Sequence, residues 1–223
     1  MQGLAQFVEH GGWVMYTNIM VLVVILAIIV ERFIFLLGKG QINAKGLLEQ
    51  LRKLIQANNV DRAIRICGSR NAPLLRIAKS GLVHVHRGEE ALANAVEESL
   101  VETTPEVKKR ISALWSLSNI AVLVGLFGTV LGLIRAFAAV SGADPAKRQE
   151  LLAAGIAEAL HNTALGLGIA IVAIIFHLIL SGMAKKLVAD LEGFSMKLEN
   201  FLTLQVRSNP NIAAAAGQAR PKK

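Results

Sequence analysis

Three long apolar stretches constrain what this chain can fold into more than any other feature of its sequence. They run from Trp13 to Gly38, from Ala113 to Ile134 and from Ala159 to Ala184, and only Glu31 and Arg32 interrupt them with charge. About 20 helical residues, rising about 1.5 Å each, cross a hydrocarbon core of about 30 Å. The 223-residue chain is 53% hydrophobic. It is therefore predicted to be an all-α integral membrane protein with three transmembrane helices.

The distribution of basic residues predicts how these helices are oriented. Residues 1–18 contain no Lys or Arg, which also argues against a cleaved signal peptide. Basic residues instead follow the first stretch, precede the second and follow the third: Lys39, Lys45, Arg52, Lys53, Lys108, Lys109, Arg110, Lys185 and Lys186. In the connection over residues 141–157, two basic residues are offset by two acidic ones. The positive-inside rule then places the N-terminus outside and the C-terminus in the cytoplasm.

The predicted organisation alternates membrane and non-membrane segments, with most of the latter on the cytoplasmic side. In chain order we expect an outer N-terminal segment (1–12), transmembrane helix 1 (13–38), a cytoplasmic helical region (39–110), transmembrane helix 2 (111–140), an outer loop (141–157), transmembrane helix 3 (158–184), a cytoplasmic helix (185–209) and a disordered tail (210–223).

Within the cytoplasmic region, breakers divide a helical pattern of apolar residues. Asn58 and Asn59 mark a break, and Pro73 opens a further helix. At Pro105 the periodicity resumes at once, so a kink is expected inside a long helix that runs into the second transmembrane helix. His84 and His86 are predicted to be surface residues.

Composition and spacing argue against several functional classes. The net charge of +8 comes from residues at membrane borders without interleaved aromatics, which favours lipid headgroups over nucleic acid. Cys67 is alone, so a disulfide framework or thiolate metal site is not expected. Glu158 and His161 form a Glu-x-x-His pair, but a di-iron site needs a second copy and further carboxylates. We expect neither an enzyme nor a bound metal or cofactor.

The second and third apolar stretches each carry one face of small and polar residues. On a helical wheel these residues recur every three or four positions and include Gly125, Gly128 and Gly132 in the second stretch and Gly166, Ala170 and Ala173 in the third. Small residues let helix backbones approach closely. Close packing is therefore the simplest interpretation of these stripes.

Packing explains the hydroxyl, amide and ionisable groups of the stripes less well. These are Thr129 in the second stretch and Glu158, Asn162, Thr163 and His177 at or beside the stripe of the third. Polar groups at membrane depth are costly and usually face a bundle interior, a cavity or an ion path. We favour packing combined with an ion path lined by these five residues, and packing alone remains the alternative.

Two motifs in these stretches resemble a known family. The run GLFGTVLG over residues 125–132, followed by GIAEAL at 155–160 and TALGL at 163–167, is similar to the paired signature of the MotA/TolQ/ExbB proton channel proteins. The resemblance is close over about residues 105–180. Three predicted transmembrane helices with a long cytoplasmic loop favour the ExbB/TolQ branch. Val122 and Val172 stand where those proteins often have proline.

The resemblance implies a subunit of a bacterial inner-membrane motor that converts the proton motive force into work. It implies a homopentamer around a dimer of single-span ExbD/TolR-like partners, whose aspartate takes and releases the proton. A TonB/TolA-like or motility protein is a further candidate partner. Thr129 and Thr163 coincide with pore-lining threonines of the family, and Glu158 with its pore-side glutamate. A structural membrane scaffold that conducts no ions is the alternative function.

Overall fold

The computed structural model describes residues 12–40, 43–57 and 59–208, and every regular element in these ranges is helical. The helices are α1 (Gly12–Gly40), α2 (Ala44–Gln56), α3 (Val60–Gly68), α4 (Pro73–His84), α5 (Glu89–Lys108), α6 (Ile111–Ser141) and α7 (Arg148–Ser208), with a 3₁₀ turn (Val85–Arg87) between α4 and α5. The predicted tail and all but Gly12 of the predicted outer segment lie outside the described residues.

Three helical stretches are long and apolar enough to cross a membrane: Trp13–Gly38 within α1, Glu89–Ser141 over α5 and α6, and Arg148–Ser208, which is α7. They contain the three apolar stretches, so the all-α fold class with three membrane-spanning helices is confirmed for the described residues. The predicted break at Asn59 directly precedes α3, and α4 begins at Pro73 as predicted. Asn58, the other residue of that break, lies outside the described residues.

The connection between α6 and α7 is shorter than the sequence suggested. A loop over residues 141–157 was expected, but α7 already begins at Arg148 and then continues without interruption to Ser208. The predicted third transmembrane helix and the predicted cytoplasmic helix at 185–209 therefore belong to one helix of 61 residues, about 90 Å long at 1.5 Å per residue. No proline lies between Pro145 and Pro210, so nothing removes a backbone donor within it.

The helical stretch that was expected to run from α5 into α6 with a kink at Pro105 is interrupted at a different place. Helix α5 passes through Pro105, and the chain instead breaks at Lys109 and Arg110. Arg110 has a φ of 61°, a left-handed conformation that ends helices and is unfavourable for a residue with a Cβ. Its guanidinium donates a hydrogen bond to Glu31 of α1. This joint, and not the proline, separates the two helices.

The chain divides into two compact units, one made of residues 1–32 and 110–180 and the other of residues 33–109 and 181–223. In the second unit, α2 to α5 and the later part of α7 enclose an apolar core that includes Leu51, Ile55, Ile77, Leu82, Leu92, Leu191 and Leu198. At Gly81 of α4 an added Cβ would lie 3.0 Å from Val96 of α5 and 3.4 Å from Leu202 of α7. These three helices are thus in close contact.

Ion pairs connect the same helices at the surface of the second unit. Arg76 of α4 donates to both carboxylate oxygens of Glu106 of α5 at 3.0 and 2.8 Å. Arg207 of α7 binds Glu89 at 2.5 and 2.6 Å, and this guanidinium lowers the pKa of the Glu89 carboxyl. The prediction of surface histidines needs correction, because His84 and His86 are half-buried and His84 Nδ1 lies 2.9 Å from the carbonyl oxygen of Ser80.

Cys67 should be inert to thiol reagents in the folded protein. Its side chain is buried in α3, and this burial raises the pKa of the thiol to about 12. At pH 8 the reactive thiolate is then almost absent. We expect no maleimide labelling of the folded chain at pH 8 and complete labelling in denaturant, as measured by intact mass. Rapid labelling under native conditions would contradict the burial of this residue.

Candidate functional site

The two small-residue stripes pack directly against each other. A Cβ added at Gly125 would lie 3.0 Å from the carbonyl oxygen of Asn162 and 3.2 Å from Cα of Gly166. A Cβ at Gly132 would lie 3.1 Å from Cα of Ala159. Because these neighbours are mostly backbone atoms, only a hydrogen fits on the glycines, and α6 and α7 approach as closely as small residues allow. Packing therefore accounts for the glycines of both stripes.

Small-residue faces can join copies of a chain, but here each stripe is already covered by the other within one chain. Ala170 and Ala173 are buried as well. The exposed surface of α6 and α7 consists instead of large apolar side chains, among them Leu123, Leu126, Phe127, Val130, Phe137, Leu160, Leu167, Ile171 and Leu178. These side chains are available for contacts to lipid or to other subunits.

Thr129 and Thr163 face each other across the α6–α7 interface, and their hydroxyl oxygens are in direct hydrogen-bonding contact. The carbonyl oxygen of Gly125 lies 3.3 Å from the Thr129 hydroxyl and 3.2 Å from the Thr163 hydroxyl. The carbonyl of Ala159 lies 3.4 Å from the Thr129 hydroxyl. Both threonines are only half-buried, so the pair lies at the edge of the interface.

Asn162 lies beside the threonine pair. It is buried, and an added Cβ at Gly128 would lie 2.8 Å from its Cβ. Its amide nitrogen donates to the carbonyl of Glu158 at 3.3 Å, whereas its Oδ1 atom is buried without a hydrogen-bond partner. The structure thus brings Thr129, Thr163 and Asn162 together, as the stripe pattern suggested.

His177 lies apart from this cluster. It is 14 positions after Thr163 in the same helix, a separation of about 21 Å. Its Nδ1 atom lies 2.9 Å from the carbonyl oxygen of Ile111, where the histidine can donate a hydrogen bond. Its ring is tilted against Trp115, with centroids 6.0 Å apart. These contacts attach α7 to the first two turns of α6.

Glu158 has a basic partner that the sequence analysis missed. Arg135 of α6 places Nη1 3.8 Å from Oε1 of Glu158, and their side chains are 53% and 31% exposed. The signal was available, because Arg135 lies one helical turn after Gly132, and Gly132 packs on Ala159. Recognising it requires the register between the two helices. Glu158 is therefore not an isolated negative charge.

A second residue missed in the sequence lies on α1. Asn18 is 0% exposed, and neither atom of its side-chain amide has a hydrogen-bond partner. The available signal was a polar residue four positions after Val14, on the helix face that also carries Ile25 and Ile29. In the described part of the chain, no group of three or more His, Cys, Asp or Glu side chains is arranged to hold a metal ion. His161, the histidine of the Glu-x-x-His pair, contacts the backbone of its own helix, because its Nδ1 atom lies 2.5 Å from the carbonyl oxygen of Ala157.

Comparison with known proteins agrees with the motifs in α6 and α7. A family model for the MotA/TolQ/ExbB proton channel family matches residues 69–193. The chain is 28% identical over 151 residues to ExbB-like 3 of Synechocystis sp., which is named for biopolymer transport, and this alignment covers 67% of the chain and 71% of that protein.

Two further relatives match over shorter parts of their length. The chain is 38% identical over 98 residues to the Tol-Pal system protein TolQ of Haemophilus influenzae, an alignment that covers 44% of the chain and 41% of TolQ. It is 25% identical over 143 residues to an ExbB homologue of Methanothermobacter thermautotrophicus, covering 64% of the chain and 50% of that protein.

Proposed function

Because this chain belongs to the MotA/TolQ/ExbB proton channel family, we propose that it is the channel subunit of an inner-membrane motor driven by the proton motive force. Its working partner is a single-span protein of the ExbD/TolR type with an aspartate in its membrane helix. The process that receives the work is outer-membrane transport, envelope maintenance or surface motility. The threonine pair at the edge of two apolar helices is the observation that carries the proposal.

The chemistry of this pair suits a proton relay. The two hydroxyls carry one proton each, but four contacts compete for these protons: two to Gly125 O, one to Ala159 O and one between Thr129 and Thr163. At most two of these bonds form at once. The donor roles can therefore exchange while both helices stay in place, and a hydroxyl can bind a partner carboxyl in either protonation state.

The available energy is sufficient for a mechanical step. One charge moved across about 100 mV releases roughly 2.3 kcal/mol, which corresponds to a nearly fifty-fold shift between two positions of a partner helix. Glu158 contributes a negative charge close to the threonine pair, and the guanidinium of Arg135 partly neutralises this charge. In this proposal the partner helix moves and this chain forms the rigid wall of the channel. The close glycine contacts between α6 and α7 leave no space for these two helices to slide past each other.

Coexpression with a single-span protein of the ExbD/TolR type from the same genome tests the proposal. We expect the two proteins to copurify from membranes, and native mass spectrometry to show a closed ring, with five copies of this chain around two partner chains. A partner variant in which asparagine replaces the membrane aspartate should still copurify with this chain, but the complex should lose gradient-driven activity. A stable monomer, or a ring that binds no single-span protein, would favour the scaffold alternative.

A further inference from the structure

Asn18 is a polar residue on the buried face of α1. The other buried side chains on this face include Val14, Ile25 and Ile29, which need no hydrogen bonds. Burying an amide without a hydrogen-bond partner is unfavourable, and an apolar residue at this position would avoid that penalty. A fully buried amide in an apolar helix therefore indicates that something binds it.

The neighbours of Asn18 fix its position relative to the other helices of its unit. Val14, one turn earlier, has its Cγ1 atom 3.1 Å from an added Cβ at Gly128, where Asn162 also packs. Leu22, one turn later, shares an apolar groove with Gly168 of α7. Asn18 lies between these two levels. On α7 these two levels correspond to Asn162 and Gly168, so Asn18 lies within about one turn of Asn162 and Thr163 along the helix axis.

The unpaired atoms at this level distinguish between ligands. They are one donor, Nδ2 of Asn18, and two acceptors, Oδ1 of Asn18 and Oδ1 of Asn162. A water molecule both donates and accepts, so it can bridge such a set with two to four hydrogen bonds. A sodium ion would bind the two oxygens but leave the amide donor of Asn18 unpaired and facing a positive charge. The set of atoms favours water.

We infer that Asn18 and Asn162 bind a buried water molecule beside the threonine pair, so that the polar layer extends across α1, α6 and α7. The inference deepens the proposed function and depends on it in one respect, namely that this water belongs to the proton relay. A water at this level can exchange hydrogen bonds with the amides without any movement of the helix backbones. It makes Asn18 a positioning residue for the relay.

Water-edited solid-state NMR on the full chain in lipid bilayers tests the site without a partner protein or a proton gradient. We expect the side-chain amides of Asn18 and Asn162 to receive water magnetisation well before buried apolar residues such as Ile25. In the Asn18→Leu variant the Asn162 amide should lose this rapid transfer, whereas Asn18→Ser, which keeps a hydrogen-bonding group and leaves room for water, should retain it. Should Asn18→Leu fail to fold, the wild-type and Asn18→Ser spectra still decide whether water lies next to these amides.

Several outcomes would overturn the inference. Slow transfer to both amides would show a dry interface, and a direct amide-to-amide correlation without water would show that the two side chains bind each other. Shifts of these signals with sodium concentration at constant ionic strength would assign the site to a cation. For the relay role, Asn18→Leu should lose most gradient-driven activity and Asn18→Ser should keep it. Full activity of Asn18→Leu would reduce the water to a structural element even where the NMR supports its presence.

Discussion

Gly166→Val should abolish the assembled protein, whereas Gly168→Val in the same helix should leave it nearly unchanged. A Cβ at position 166 would lie 2.5 Å from the carbonyl oxygen of Ala121 and 3.1 Å from Cα of Gly125. Both are backbone atoms of α6, so no side chain can turn aside to make room. At position 168 no atom lies within 4 Å of an added Cβ. Both variants add the same side chain to one helix, so intrinsic helix propensity cancels in the comparison.

The expected effect at position 166 is large. Overpacking of a well-packed core typically costs about 1–3 kcal/mol and more where the backbone must shift, and this is a large part of the stability of an ordinary protein. The measurement is the yield and thermal midpoint of detergent-solubilised protein at equal expression. A Gly166→Val protein with the wild-type yield and midpoint would contradict the close packing of α6 on α7.

Thr129→Val and Thr163→Val should each reduce gradient-driven activity by tenfold or more while the complex still assembles. Valine keeps the β-branch of threonine but removes the hydroxyl. Each substitution also places a methyl group against the remaining hydroxyl, so a small loss of stability, about 1 kcal/mol, is expected. Thr129→Ser and Thr163→Ser are the matched controls, because serine retains the hydroxyl and should preserve most activity.

The double variant carries additional information about this pair. Since the two hydroxyls share two protons among four contacts, they act as one unit, and removing the second should add little to the loss caused by the first. The comparison uses a phenotype that depends on the proton gradient, at equal amounts of protein in the membrane. Full activity in both single valine variants would leave the hydroxyls with a packing role only and favour the scaffold alternative.

Hydropathy and motif order predicted much of this molecule because they depend on single helices. The absence of charge between Ala113 and Ile134 is enough to identify an apolar helix that can cross a membrane. The position of Thr129 on the glycine face follows from a helical wheel. Neither inference requires knowledge of what another helix does.

The features that could not be predicted depend on the register between helices. Arg135 meets Glu158 only because Gly132 packs on Ala159, and Asn18 joins the polar layer only because Val14 contacts Gly128. A wheel shows which face a residue occupies but not the depth at which two faces meet. Pro105 was misleading for a related reason. The local conformational preference of proline predicted a kink of the helix at Pro105. The helix instead breaks at Arg110, which contacts Glu31, 79 positions earlier.

The joint at Arg110 also constrains how this sequence can drift over evolutionary time. A φ of 61° would suit glycine better than arginine, so backbone preference alone would drive this position toward glycine. The guanidinium bound to Glu31 opposes that change. As long as Glu31 is present, losing Arg110 would leave its carboxylate without this cation inside an apolar stretch. Positions 31 and 110 should therefore covary among close relatives, with glycine at 110 appearing where the acid at 31 has been lost.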